Sequence, residues 1–215
     1  MQTNYCTPMI IAILSGKGGS CKTTTALAFA AILSKKHKIL VVDADPQCSL
    51  GWVAEKSGAK FDVVEESDPD ALEKLGRIGG YDYIICDSAP GLSGEAIATI
   101  AGLSDYIVLP TSPSPLDIRE LTRTIKQIII PSDTPYRVMF GRVDYRRVGE
   151  AETLQSQLTT AGIPVFKGLV RSRVAHERAI IEEKLITQYK GSGGKDALKD
   201  YQAVVKQLMG DLKDA

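Results

Sequence analysis

The chain has 215 residues, of which 44% are hydrophobic and 24% charged, and its formal net charge is zero. These are ordinary values for a globular protein, and they exclude a disordered or fibrous chain. No apolar stretch approaches the roughly 18 residues that would span a bilayer, and the N-terminus lacks the layout of a signal peptide. The sequence therefore predicts a cytoplasmic protein with one domain over residues 1–215, of which residues 1–8 are expected to be flexible.

Seven short apolar runs alternate along the chain with segments of helical pattern. The runs are apolar almost throughout, which is typical of strands that are covered on both faces. The predicted strands are 9–14, 39–42, 61–64, 83–86, 106–109, 137–140 and 165–170. The predicted helices are 23–35, 69–76, 94–103, 116–129, 149–161, 173–184 and 196–213, with a glycine-rich loop over 190–195. This order predicts an α/β fold, a doubly wound and mostly parallel sheet with helices on both faces.

The charge is divided unevenly between the two halves of the chain. Residues 1–110 hold 13 acidic and 9 basic side chains, whereas residues 111–215 hold 13 acidic and 17 basic ones. A surplus of cations favours an anionic partner, which is therefore expected on the C-terminal half. The four cysteines (Cys6, Cys21, Cys48 and Cys86) show no CxxC spacing and are interpreted as reduced thiols.

A glycine-rich turn follows the first predicted strand and leads into the first predicted helix. The residues are Gly16, Lys17, Gly18, Gly19, Ser20, Cys21, Lys22, Thr23 and Thr24. Backbone N–H groups in such a turn form a nest for phosphate, and the positive end of the helix dipole adds to it. Lys22 is predicted to contact the β and γ phosphates, Thr23 to bind Mg²⁺ and Thr24 to reach the α phosphate. The sequence thus predicts a nucleotide-binding loop.

Acidic side chains end two other predicted strands. Asp87 follows the fourth, and an acid there is needed to hold Mg²⁺ through water once a phosphate loop is present. Asp43 and Asp45 follow the second, and two residues so spaced face opposite sides of an extended chain. One of the pair is expected to fix Mg²⁺ or its waters and the other to orient the attacking water. Because ligands of doubly wound sheets bind beyond the carboxyl ends of strands, all three acids are expected at one site.

These motifs resemble those of the ParA/MinD superfamily of deviant Walker A ATPases. Residues 17–23 are similar to its phosphate loop KGGxGK[ST], residues 43–47 to its switch I motif DxDPQ, and residues 87–91 to its Walker B and switch II region. Residues 110–117 are similar to the matching stretch of small, ParF-like ParA proteins, which lack an N-terminal DNA-binding extension. The resemblance covers nearly the whole chain and implies a P-loop fold that binds ATP and Mg²⁺.

The resemblance also implies roles for single residues. ATP would drive formation of a face-to-face homodimer, and Lys17 would reach the phosphates of the partner's nucleotide in the manner of an arginine finger. Asp45 is matched to the residue that positions the hydrolytic water, and Asp43 to the Mg²⁺ surroundings. Lys17, Lys22 and Asp45 are therefore the predicted catalytic residues, and hydrolysis is expected to be slow without an adaptor protein.

Cys21 departs from the family pattern, which has glycine before the catalytic lysine. Glycine freely adopts the backbone angle that a nest commonly needs there, whereas a side chain adds strain or crowds the phosphates. Weaker nucleotide binding or a slightly remodelled loop is expected. A regulatory thiol, favoured by the helix N-terminus, is the alternative.

Membership of the superfamily does not determine which cargo is positioned or whether the ATP dimer binds DNA or a membrane. In a partition or positioning ATPase the ATP dimer binds double-stranded DNA of the nucleoid nonspecifically, and an adaptor of ParB/ParG or cargo-adaptor type stimulates hydrolysis. The cargo is then a plasmid, a chromosome or a protein organelle such as a carboxysome. The predicted DNA contacts are Lys167, Arg171, Arg173 and Arg178, with Arg142, Arg146 and Arg147 as further candidates.

Two other branches of the superfamily remain as alternatives. A MinD-like regulator would insert its last helix into a membrane, and the last predicted helix has an apolar stripe. Its polar face mixes lysines with aspartates, whereas an interfacial helix is usually strongly basic, so core packing and no stable membrane anchor are expected. A metabolic relative with an iron–sulfur cluster would need paired cysteines away from the phosphate loop, which the positions of Cys21 and Cys86 do not provide.

Overall fold

The computed structural model of the chain describes residues 7–45, 49–88 and 94–214. Six strands form one sheet: β1 Met9–Ile13, β2 Ile39–Asp43, β3 Asp62–Glu65, β4 Tyr83–Asp87, β5 Tyr106–Thr111 and β6 Tyr136–Phe140. The helices between and after them are α1 Lys22–Leu33, α2 Ser49–Ser57, α3 Pro69–Leu72, α4 Gly94–Leu103, α5 Pro115–Thr124, α6 Ile130–Ser132, α7 Val148–Thr160, α8 Val174–Ile181 and α9 Gly194–Asp214. Three further turns are helical: 3₁₀ turns at Leu75–Arg77 and Tyr145–Arg147, and a π-helical turn at Ile125–Ile129.

Every pairing in the sheet is parallel, in the order β3-β2-β4-β1-β5-β6. The chain winds from β1 towards one edge and then, through β5 and β6, towards the other. This confirms the predicted doubly wound α/β fold. Such a fold leaves a crevice at the carboxyl end of β1, where the winding changes direction.

Each face of the sheet buries a separate apolar core, because side chains alternate between faces along a strand. From β1, Ile11 and Ile13 enter the core with α1, α2, α8 and α9, while Ile10 and Ala12 enter the core with α4, α5 and α7. Strands so placed must be apolar on both sides. That is why their sequences are nearly continuous apolar runs.

The seventh predicted strand, 165–170, is wrong. Within it only Val165 forms a bridge to the sheet, at Val138 of β6, although the backbone also hydrogen bonds along the outer edge of β6. Gly168 lies close against α9, since a Cβ there would lie 3.2 Å from the Val204 side chain and 3.3 Å from that of Ala203. The segment thus follows the surface of α9 more closely than the line of β6, and it covers that edge of the sheet without extending it.

Helix boundaries differ from the predictions where tertiary contacts decide them. Helix α2 was not predicted, because the glycine at position 51 weakens its helical pattern. The predicted helix 69–76 is divided into α3 and a 3₁₀ turn, and the predicted helix 116–129 changes from α5 into a π-helical turn at Ile125. The predicted loop 190–195 is shorter, because α9 begins at Gly194.

The long helix α9 closes the first core. Its apolar stripe, which includes Tyr201, Val204 and Leu208, is buried, so the predicted core packing is confirmed. Its last turn is held by Asp211, which accepts hydrogen bonds from Arg137 Nε at 2.6 Å, Arg137 Nη2 at 3.0 Å and the Tyr106 hydroxyl at 2.6 Å. Among the helices of the described residues, none combines the length and apolar character needed to cross a membrane.

Candidate nucleotide-binding site

The carboxyl ends of β1, β2 and β4 bring the predicted site residues to one edge of the sheet. β4 lies between the other two, and Asp87 is level with Ile13 on one side and with Asp43 on the other. The phosphate loop continues from β1 into α1 directly above this edge. Of the predicted switch regions, residues 46–47 and 89–91 lie outside the described residues.

Cys21 has a left-handed backbone conformation, as the sequence predicts for this position of the loop. It precedes α1 with φ 62° and ψ 27°, in the left-handed region that glycine adopts freely. Its carbonyl accepts hydrogen bonds from the N–H of Thr25 at 2.9 Å and from the Thr25 hydroxyl at 2.7 Å. The first turn of α1 therefore holds the strained residue in place.

The Cys21 side chain fits because the facing residue, Gly141, has none. A Cβ at Gly141 would lie closer to Cys21 Sγ than van der Waals contact allows. Burial raises the pKa of the Cys21 thiol to about 11, although Thr25, Arg142 and Lys22 each favour the thiolate. The thiol is therefore protonated at neutral pH, which argues against the alternative of a reactive regulatory thiolate.

We expect Gly141→Ala to lower the free energy of unfolding by about 1–3 kcal/mol, because the added methyl group overlaps the Cys21 sulfur. Cys21→Gly removes both the sulfur and the left-handed strain, which costs about 1 kcal/mol, so ATP affinity should be unchanged or higher. The double variant Cys21→Gly/Gly141→Ala should recover most of the lost stability. Urea unfolding and titration with a fluorescent ATP analogue measure these effects, and an equal loss from Gly141→Ala in both backgrounds would contradict the packing argument.

Asp43 is a structural anchor within the site. Its Oδ1 accepts a hydrogen bond from the N–H of Asp45 at 3.1 Å, and its Oδ2 accepts one from the N–H of Leu50, in α2, at 3.1 Å. Its carbonyl accepts the N–H of Glu66, just after β3, at 3.0 Å. Burial raises the pKa of this carboxyl, and the two backbone donors oppose the rise. Asp43 thus fixes the path of the chain at Asp45 and the start of α2.

Asp87 is buried with neither carboxylate oxygen hydrogen bonded. Its residue is fully shielded from solvent, and no donor among the described residues meets either oxygen with hydrogen-bond geometry. Burial, together with Asp43 and Asp45, raises its pKa to about 7, although the nearby Thr23 hydroxyl and Lys22 ammonium oppose the rise. The Thr23 hydroxyl therefore approaches Asp87 as a weak hydrogen-bond donor, without the geometry of a full hydrogen bond. A buried carboxylate without a full hydrogen bond suits a hydrated cation, so Asp87 fits the predicted Mg²⁺ site.

Lys22 is the buried cation of the site. Its ammonium donates to the carbonyl of Lys17 at 3.2 Å, which folds the side chain back over the loop. Burial lowers its pKa, and Asp87 and Asp45 oppose that change. Among the described residues, no cluster of three or more His, Cys, Asp or Glu side chains can hold a metal by itself. This is compatible with Mg²⁺, which commonly takes one or two carboxylates and completes its shell with water and substrate phosphate.

Lys17 lies on the open side of the loop, about half exposed. Its ammonium pairs with Asp117, near the start of α5, and Asp117 also accepts a hydrogen bond from the hydroxyl of Ser112. Burial favours the protonated form of Asp117, but the hydrogen bonds from Lys17, Ser112 and Ser114 outweigh it, so the pKa of Asp117 is lowered. Within one chain Lys17 is thus directed to α5 and not to its own phosphate site. The Lys17–Asp117 pair thus joins the phosphate loop to the predicted ParF-like stretch 110–117.

A cavity of about 480 Å³ extends from the phosphate loop to α5. Arg142, which follows β6, lines it and donates from Nη1 to the carbonyl of Gly19 at 2.8 Å. Arg142 is among the predicted candidates for DNA contact, but its hydrogen bond to Gly19 places it on the phosphate loop. Its position just beyond the carboxyl end of β6, at the edge of the sheet where β2 and β4 end in Asp43 and Asp87, is the signal that could have assigned it here.

The other basic candidates do not form one free surface. Arg146 pairs with Asp144 and Arg147 with Glu150, both exposed on the loop before α7. Arg171 and Arg173 both bind the nearly buried carboxylate of Asp200 in α9, through nitrogen atoms 3.0 and 3.1 Å from its oxygens. Lys167 and Arg178 are exposed. The structure therefore gives Arg171 and Arg173 a role in holding α9 that the sequence did not suggest.

We expect Arg171→Ala/Arg173→Ala to lower the free energy of unfolding by about 2–3 kcal/mol, because Asp200 is left as an unpaired, nearly buried charge. Adding Asp200→Asn to that variant should restore part of the stability. Thermal unfolding of the two variants checks this. A double alanine variant as stable as the unaltered chain would show that the pairs contribute nothing.

Comparison with known proteins agrees with this geometry. Residues 11–186 match the CobQ/CobB/MinD/ParA nucleotide binding domain family. The chain is 43% identical to the maintenance of carboxysome distribution protein A of Gloeobacter kilaueensis over 208 residues, which are 96% of each chain. Its fold is similar to that of an ATP complex of a Cyanothece McdA variant (TM-score 0.74, 19% identity, 95% and 97% of the chains) and of Aquifex aeolicus MinD (TM-score 0.77, 20% identity, 94% and 97%). The match over most of its length and the parallel sheet with its phosphate loop both show that the chain belongs to the CobQ/CobB/MinD/ParA family of nucleotide-binding proteins.

Proposed function

We propose that the chain is an ATPase that dimerises with ATP and Mg²⁺ and positions a cargo. The observation that carries the proposal is Asp87, a fully buried carboxylate beside Lys22 and Thr23 that makes no full hydrogen bond with any described residue. An uncompensated buried charge is costly, and such costs are typical of functional sites. The site is therefore complementary to a cation and phosphate that are supplied with the nucleotide.

Each residue of the site has a separate role in phosphoryl transfer. Backbone N–H groups of residues 16–21 and the N-terminus of α1 hold the phosphates, and the Lys22 ammonium neutralises the outer ones. Thr23 and Asp87 would hold Mg²⁺ with its waters, with Asp43 in the surroundings, and the bound ion neutralises charge on the transferred phosphoryl group. Asp45 orients the attacking water. Because no strong general base is assigned beyond these acids, turnover is slow until an adaptor completes the geometry.

Lys17 is the residue through which dimerisation would control the reaction. In the single chain it is held by Asp117, near the cavity and half exposed. In the ATP dimer it would leave Asp117 and approach the phosphates of the partner's nucleotide, where a second cation stabilises the transition state. ATP then acts as the timer of a dimeric binding state.

For the cargo we propose carboxysomes. Support comes from the relative in Gloeobacter kilaueensis, which is named for the maintenance of carboxysome distribution and matches this chain along nearly its whole length. A second protein with that name, from Halothiobacillus neapolitanus, is 26% identical over 93% of this chain. A plasmid or a chromosome is the other cargo to which such an ATPase is suited.

For the track we propose nonspecific double-stranded DNA of the nucleoid, in the cytoplasm. The exposed cations Lys167 and Arg178 are the first candidates for phosphate contact, and Arg171 contributes only the part of its guanidinium that Asp200 leaves accessible. Lys and Arg contacts to phosphate give binding that weakens steeply with salt. Arg173 is the poorest of the four predicted contacts, since it is largely buried against Asp196 and Asp200.

One experiment separates this function from a MinD-like membrane cycle. The protein is sedimented with plasmid DNA and, separately, with vesicles of mixed zwitterionic and anionic phospholipid, each with ATP and with ADP. We expect ATP-dependent sedimentation with DNA and none with vesicles, because the apolar stripe of α9 is already buried. The Lys167→Gln/Arg178→Gln variant should bind DNA more weakly with a smaller salt slope, and ATP-dependent binding to vesicles alone would favour the membrane function.

A further inference from the structure

An open groove of about 750 Å³ lies between α2 and β3, away from the phosphate loop. Trp52 of α2 and Val64 of β3 line it, and they are 48% and 39% exposed although both are large and apolar. Glu55, Asp62 and Glu65 also line it, and none of its described lining residues is a lysine or an arginine. The groove thus combines an exposed indole with three carboxylates.

The groove lies along an unpaired edge of the sheet. β3 is the last strand on its side, and among the described segments no backbone hydrogen bond other than those to β2 reaches Asp62–Glu65. The opposite edge, β6, is covered by residues 164–171. Because the N–H of Glu66 points to β2, the alternation along the strand turns the N–H groups of Val63 and Glu65 outwards. An extended chain could add to this edge.

Both walls of the groove are hydrogen bonded to Asp43. Its carboxylate holds the N–H of Leu50 in the first turn of α2, and its carbonyl holds the N–H of Glu66 after β3. The same carboxylate fixes Asp45. A molecule that changes the spacing of α2 and β3 would therefore act on the segment proposed to orient the attacking water.

We propose that this groove binds an extended, positively charged segment of a partner protein, which adds as a strand to β3. The charge favours this occupant, since arginine or lysine side chains would meet the three carboxylates and the face of Trp52. A second copy of the chain is disfavoured as the occupant. If β3 paired with β3 of another copy, Asp62 and Glu65 would face the same carboxylates of that copy, and like charges repel. The proposal rests on the proposed function in one respect, that the partner acts as the adaptor which stimulates hydrolysis.

The probe is a fluorescein-labelled peptide of alternating arginine and valine, and its binding to the full chain is followed by fluorescence anisotropy. A peptide of alternating glutamate and valine is the first control, and it should not bind. Glu55→Gln/Glu65→Gln should weaken binding of the cationic peptide by about tenfold. The matched control is Glu152→Gln/Glu177→Gln, which makes the same change of net charge at exposed sites on α7 and α8 and should change affinity by less than about twofold.

Two further measurements make the result decisive. Saturating peptide should slow hydrogen exchange at the amides of Val63 and Glu65. Trp52→Ala should lower the affinity for the cationic peptide, while the melting temperature of the variant stays within a few degrees of that of the unaltered chain. If both double glutamine variants lost peptide affinity equally, or if peptide gave no hydrogen-exchange protection on β3, the groove would not be the binding site. Titration with a fluorescent ATP analogue in the same samples tests the proposed ATPase separately, since failure to bind nucleotide would contradict that function and leave peptide binding intact.

Discussion

Asp87→Asn is expected to reduce ATP hydrolysis by about 10²–10³-fold and, at the same time, to stabilise the nucleotide-free protein. Activity falls because the neutral amide cannot hold the Mg²⁺ waters beside Thr23. Stability rises, by about 1–3 kcal/mol at pH 8, because the variant no longer buries a charge that makes no full hydrogen bond. Hydrolysis is measured by phosphate release, and stability by urea unfolding without metal or nucleotide.

The pH dependence of the same variant provides the control. In the native protein the pKa of Asp87 is raised to about 7 by burial, above its ordinary value of 3.8. The folded state therefore binds the proton more tightly, and Asp87 lowers stability increasingly as the pH rises from about 4 to about 7. Asp87→Asn should remove that part of the profile. Equal profiles for the two proteins, with no gain at pH 8, would show that Asp87 is not buried as a charge.

The second large effect is expected at Asp45. Asp45→Asn should keep ATP binding and ATP-dependent dimerisation while hydrolysis falls by about 10²-fold, because the amide cannot orient the attacking water as an anion does. Size-exclusion chromatography with ATP and a phosphate-release assay separate the two properties. A variant that hydrolyses ATP at the normal rate would move this role to another residue.

Asp43→Asn is the matched comparison, since it makes the same chemical change two residues earlier. Asp43 accepts two backbone N–H groups and is almost fully buried, so its loss should disturb the start of α2 and lower the melting temperature. Asp45→Asn should lower the melting temperature less, because Asp45 is only partly buried. If both variants lost stability equally, the contrast between an anchoring and a reacting aspartate would fail.

The parts of the site that could be predicted from sequence are those set by local order along the chain. A strand, a glycine-rich turn and a Lys-Thr pair at a helix start form a phosphate loop through neighbouring residues alone. Asp43 and Asp87 could also be predicted, because each ends a buried strand and parallel strands end at the same edge of the sheet. Even the left-handed backbone of Cys21 follows from its position in the loop.

The rest depends on residues that are distant in the sequence. The contact between Cys21 and Gly141, and the bond from Arg142 to Gly19, join segments more than 100 residues apart. Helix α2 begins where Asp43 accepts the N–H of Leu50, although its own helical pattern is weak. The basic cluster at 171–173 was interpreted as a DNA surface, since nothing in the local sequence shows that Asp200 lies beneath it. Such long-range contacts exist only once the sheet has formed.

The packing of α9 against α1 has a consequence for how the protein is made. The Thr25 and Tyr201 hydroxyls, 176 positions apart, lie 3.3 Å from each other, and Phe29 meets the Tyr201 ring edge to face. During synthesis the phosphate-loop helix emerges from the ribosome long before its partner, because 176 positions separate Thr25 from Tyr201. The core beneath the loop cannot close until translation of α9 is complete. Nascent chains that end before α9 therefore lack the packing that supports the phosphate-loop helix from beneath.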